Sequence, residues 1–80
     1  PSAGRIAVDF VLPRAGEASV RLLDLQGRVA ATLASGTRGA GRHRVTWDAS
    51  SSGGRIPAGL YFVELRSNGA TLSRRVALAP

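Results

Sequence analysis

The chain has no cysteine, no methionine and no lysine among its 80 residues. Without cysteine there is no disulfide, no thiolate nucleophile and no cysteine-based metal site. Histidine occurs once, at position 43, which excludes a multi-histidine metal centre. Acids are sparse: Asp9, Glu17, Asp24, Asp48 and Glu64 are scattered, so no carboxylate pair stands ready for acid–base work. No apolar run approaches the ~20 residues that span a bilayer as a helix. The opening PSAGRIAVDF lacks the layout of a signal peptide, so an exported precursor would carry that signal elsewhere. The missing initiator methionine fits a fragment of a longer protein.

What is present is arginine. All eleven basic residues are Arg, and the net charge is +6. A guanidinium stays charged at any working pH and grips carboxylate or phosphate through paired donors. An anionic glycan or lipopolysaccharide is therefore a candidate partner. The Arg residues are dispersed rather than blocked, which favours a solvated surface over a dedicated anion site. Nucleic acid is disfavoured, because such a partner calls for exposed aromatics among the arginines and only Phe62 qualifies.

Period-2 alternation recurs along the chain, and helical periodicity is nearly absent. Ile6, Val8, Phe10 and Leu12 share one face of a first strand, which Pro13 ends because it has no N–H to give a ladder. Residues 14–17 read as a turn. Ala18, Val20 and Leu22 then share a face, opposite Ser19 and Arg21. Asp24-Leu25-Gln26-Gly27 has Asp first and Gly fourth, the preference of a type I turn. It should fold the second strand onto Arg28 to Leu33, where Val29, Ala31 and Leu33 alternate; the alanines there also permit a short helix. Residues 35–42, SGTRGAGR, read as a Gly-rich loop. His43, Val45 and Trp47 share the face of a further strand.

From Asp48 to Gly59 the chain is rich in Ser, Gly and Pro, and reads as a crossover with Trp47 and Tyr61 anchoring its ends. In LYFVELR, Tyr61, Val63 and Leu65 oppose Leu60, Phe62 and Glu64. Asn68-Gly69 is a strong hairpin signal. A last strand places Leu72, Val76 and Leu78 on one face. Six or seven short strands in one domain over 1–80 predict an all-β, antiparallel β-sandwich. Its core is expected to hold Val8, Phe10, Leu12, Val20, Leu22, Val45, Trp47, Tyr61, Val63, Leu65, Val76 and Leu78, centred on Trp47. A chain this short has a thin margin of buried surface.

Candidate chemistry is weak. Ser51 and Asp48 complete a triad with His43 only on paper, since His43 alternates with core residues and no G-x-S-x-G is present. Asp48 with Ser50 and Ser52 is a poor cation site and a better turn cap. GTRGAG (36–41) lacks the Lys-Ser/Thr of a phosphate loop and no long helix follows it. No catalytic residue, metal or cofactor is assigned, and the chain is read as a non-enzyme.

The motifs nevertheless fall in an order that carries a resemblance. Ile6-x-Val8-x-Phe10-x-Leu12-Pro13 is followed by Val20-x-Leu22-Leu23-Asp24-x-x-Gly27-Arg28-x-Ala30. Then come Ala40-Gly41-x-His43-x-Val45-x-Trp47-Asp48, Ala58-Gly59-Leu60-Tyr61-Phe62 and Arg75-Val76-Ala77-Leu78. This series resembles the C-terminal sorting domain of the type IX secretion system and its relative, the immunoglobulin-like domain of the flagellar hook-capping protein. The resemblance implies an immunoglobulin-like sandwich, the C-terminal module of a larger exported protein, secreted or held at the bacterial outer surface.

On the sorting reading, secretion machinery recognises Gly59, Leu60, Tyr61, Phe62, Arg74, Arg75, Val76 and Leu78, and Phe10, Leu22, Val45, Trp47, Tyr61 and Val63 form the structural core. Sorting domains often carry Lys near the closing strand, where this chain has Arg74 and Arg75. The alternative is a structural subunit that assembles with neighbouring domains or subunits through sheet edges, burying Leu60 and Phe62. A third reading is an adhesive module for acidic polymers.

Overall fold

The computed structural model describes residues 4–49 and 56–78. Six strands follow one another: β1 (Arg5–Leu12), β2 (Gly16–Leu23), β3 (Val29–Arg38), β4 (Gly41–Asp48), β5 (Gly59–Ser67) and β6 (Ala70–Leu78). β1 and β4 pair as a two-stranded sheet, and the other four form a second sheet in the order β3-β2-β5-β6. Every pairing is antiparallel. The fold is an all-β sandwich of immunoglobulin type, as the alternation predicts.

Alternation decides what is buried. From the small sheet, Ile6, Phe10, Leu12 and Val45 enter the core, and from the large sheet Ala18, Val20, Leu22, Tyr61, Val63 and Leu78. Leu12, Val20 and Leu22 are the most enclosed, at 1% exposure or less. Burying a large apolar side chain contributes about 1.5–3 kcal/mol each, so these residues supply the main favourable term. The interior holds no buried polar or charged residue among those described.

The turns follow their sequence signals. Gly27 N–H donates to the Asp24 carbonyl at 3.0 Å, closing the turn between β2 and β3. Asn68 and Gly69 both have positive φ, 49° and 78°, as a type I′ hairpin requires. β4 lies in the small sheet and β5 in the large one, so the chain between them crosses from sheet to sheet. Ser50, Ser51 and Ser52 of that expected crossover, and with them the triad and cation readings, lie outside the described residues.

Two expected boundaries are corrected. Gly16 and Glu17 are not turn residues: they begin β2, opposite Arg38 and Thr37. The expected loop at 35–42 shrinks to Gly39-Ala40, because Ser35 to Arg38 find backbone partners on the start of β2. Glycine-rich composition suggests a loop, but an available partner strand overrides it. Val29 lies outside the core, at 49% exposure. Register shifts between Val20/Arg21 and between Leu22/Leu23 mark two β-bulges in the β2–β3 pair, which break the alternation of β3. Finally, Leu72 is on the inward side of β6, opposite Leu65, yet is 67% exposed, because the two-stranded sheet is too narrow to cover it.

Trp47 is half-buried and packs against the core from its rim. It is the penultimate residue of β4, an edge strand of the smaller sheet. The centre of the interior belongs instead to Leu22, fully enclosed on the central strand β2.

Candidate functional site

The two segments expected to carry recognition meet in space. β5 and β6 are hydrogen-bonded neighbours, with Gly59 opposite Leu78, Leu60 opposite Ala77, Tyr61 opposite Val76, Phe62 opposite Arg75 and Val63 opposite Arg74. Directly opposed residues of an antiparallel pair share a face. Tyr61, Val76 and Leu78 therefore face inward with Val63 and Arg74, while Leu60, Phe62, Arg75 and Ala77 face outward. The set is thus divided between the two faces of one hairpin. Tyr61 and Leu78 are buried and Val76 is half-buried, so these serve packing first.

The outward half belongs to a larger feature. Leu23 stands opposite Val29 on one side and Phe62 on the other. One row thus runs across the whole outer face of the large sheet: Val29, Leu23, Phe62 and Arg75. Leu60, 49% exposed, lies two residues before Phe62 on the same face. Single exposed apolar residues need no explanation, but a contiguous stripe marks a contact surface. The alternation of β2 already pointed Leu23 outward. Its meeting with Val29 required the bulges, which no local pattern in the sequence reveals.

Beside the stripe lies a polar row. Arg21 stands opposite Glu64 and donates to it through Nε, at 3.1 Å, and Nη2. Both side chains are largely covered, at 28% and 15% exposure, and their charges offset one another. Arg5, Arg28 and Arg44 likewise have acidic partners, Asp48, Asp24 and Asp9. Arg74 and Arg75 have none among the described residues, which leaves β6 locally positive.

The small sheet presents a depression of about 530 Å³ lined by Asp9, Phe10, Val11, Arg42, His43 and Arg44. His43 stacks on Phe10 with ring centroids 5.4 Å apart. Its Nε2 donates to the Gly39 carbonyl at 2.7 Å, since a carbonyl oxygen can only accept. Asp9 accepts from Arg44 Nε and Nη2 at 2.7 and 2.9 Å, and the guanidinium holds that carboxyl below the usual carboxylate range. Here the imidazole is anchored through Nε2 and the Asp9 carboxylate is paired with Arg44. Among the described residues no three His, Asp or Glu gather as a metal site. No helix there is long and apolar enough to cross a membrane.

Residues 2–71 match the family model described as the FlgD Ig-like domain. No curated protein and no solved structure matches the chain. The match covers β1 to β5 and the first residues of β6. Of the two families that the motif order resembles, it supports the flagellar hook-capping one.

Proposed function

From the premise that this chain belongs to the FlgD Ig-like domain family, we propose that it is a non-catalytic structural module of an extracellular, hook-cap-like assembly, packing against neighbouring subunits through the outer face of its large sheet. The observation that carries this reading is the stripe Val29–Leu23–Phe62 with Leu60, an apolar surface on a sheet face over which the described residues lay no further layer. The family match favours this structural alternative over sorting by secretion machinery.

Apolar area removed from water contributes roughly 25 cal/mol per Å². Lost rotational and translational freedom offsets much of that on association. One such face therefore suits multivalent assembly, in which repeated weak contacts add, better than a tight isolated dimer. Arg75 at the end of the stripe favours a partner with an acidic rim.

Sedimentation velocity over a rising concentration series tests the reading. The wild-type chain should self-associate, and Leu60→Glu, at an exposed position, should hold it monomeric with an unchanged β-sheet circular dichroism spectrum. A wild-type chain that stays monomeric at millimolar concentration overturns the proposal.

A further inference from the structure

The two open sides of this sandwich are built differently. On one side β3 ends the large sheet, and its pairing with β2 is broken by two bulges, a device that discourages further strand addition. On the other side β6 ends the large sheet and β1 ends the small one. Both are regular. β1 keeps unbroken register with β4 over eight residues, β6 with β5 over nine, and neither contains proline. The unpaired edges of β1 and β6 face a common groove of about 350 Å³ lined by Arg5, Ile6, Ala7, Arg75, Val76 and Ala77.

The groove has the form of a missing strand. Seven-stranded immunoglobulin sandwiches set a sheet of four against a sheet of three; among the described residues four strands face two. The groove sets Arg5, Ile6 and Ala7 of β1 beside Arg75, Val76 and Ala77 of β6, so a third strand added to β1 lies over β6. It would cover the inward residues of β6 that the described residues leave exposed or only half-buried. Those are Leu72, Arg74 and half-buried Val76, in alternating order. Arg74, opposite buried Val63, sits between two apolar neighbours and has no acidic partner among the described residues.

We propose that the edge of β1 accepts an extended segment of another polypeptide as an added strand, whose groove-facing side chains run apolar–acidic–apolar, with the acid on Arg74. Backbone hydrogen bonds to β1 supply affinity, and the alternate side chains over Leu72, Arg74 and Val76 supply selectivity. The occupant is acidic because a guanidinium covered by a strand requires a paired charge. The proposal deepens the structural reading by naming an edge and its occupant, and it shares only Arg75 with the outer stripe.

The probe is a short synthetic peptide with threonine at odd positions and valine–glutamate–valine at the even ones. Titrated into the chain, it should shift the amide resonances of β1 and β6 and slow hydrogen exchange along β1. Arg74→Glu should weaken binding by about tenfold or more, and a lysine-centred version of the peptide should restore it in that variant. Arg74 is exposed, so an unchanged spectrum of the free variant confirms that it folds. Leu60→Glu should leave peptide binding intact, so this proposal and the outer-face reading fail separately. No shifts at millimolar peptide, shifts confined to β3 or the outer face, or equal binding by Arg74→Glu would each overturn it. So would protection of β1 by self-association of the chain without peptide.

Discussion

Tyr61 Oη donates to the carbonyl of Pro57 at 2.6 Å. Its ring is buried at the start of β5, and the bond ties the approach to that strand back onto the strand itself. An inward tyrosine with a hydrogen-bonded hydroxyl satisfies the one polar atom that it carries into the interior.

Removing that hydroxyl tests the tie. Tyr61→Phe should lower stability by about 0.5–1.5 kcal/mol, the usual net value of one such bond. Urea unfolding measures it. An unchanged midpoint would show that the approach to β5 is held by packing alone.

The position of the hydrophobic centre makes a ranking. Leu22→Ala should cost about 2–5 kcal/mol, because a fully enclosed side chain leaves a cavity. Trp47→Ala should cost less, because the half-buried indole lies at the rim and water can replace part of it. The order of the two urea midpoints decides. A greater loss for Trp47→Ala would restore the indole to the centre.

Acid should act through Asp24. Its carboxylate accepts the Gln26 and Arg28 amides, both at 2.9 Å, and the Arg28 Nε. The Arg28 amide first, then its guanidinium and the Gln26 amide, hold Asp24 below the usual carboxylate range. The unfolded chain then binds a proton more readily than the folded one. The stabilisation is therefore complete above the unfolded pKa of about 3.9 and is lost as pH falls through the lower folded value. The difference in thermal midpoint between wild type and Asp24→Ala should be constant from about pH 7 to about pH 5 and shrink below about pH 4. Asp9 is also lowered, by Arg44. That pair is well exposed, so Asp9→Ala should matter less, and its effect should fade in high salt.

Glycines separate by backbone angle. Gly69, at φ 78°, occupies the left-handed region, and Gly69→Ala should destabilise by about 1–2 kcal/mol. Gly39 has no such angle, and an added Cβ there meets nothing within 4 Å. Gly39→Ala should therefore stabilise by about 0.4–1 kcal/mol, by reducing the freedom of the unfolded chain. Thermal unfolding of the two variants should move in opposite directions.

Much of this protein was legible in one dimension, because the signals concerned are local. Alternation marked the inward faces of β1, β2 and β5, where pleating sends successive side chains to opposite sides. Asp24–Gly27 and Asn68-Gly69 announced their turns through residues with particular conformational freedom. The outward placing of Leu60 and Phe62 followed from the same alternation, and the order of motifs pointed to an immunoglobulin-like family. Tertiary structure alone decided what depended on partners. Ser35 to Arg38 became strand because β2 offered free backbone groups opposite them. Val29 faces outward to meet Leu23 because the bulge beside it, between the Leu22 and Leu23 pairings, shifts the register of β3. Trp47 lost the centre to Leu22, and Leu72 and Arg74 were left exposed among the described residues, where the facing sheet has two strands and not three. Alternation states which side of a strand is apolar, but it carries no information about whether another layer arrives to cover that side.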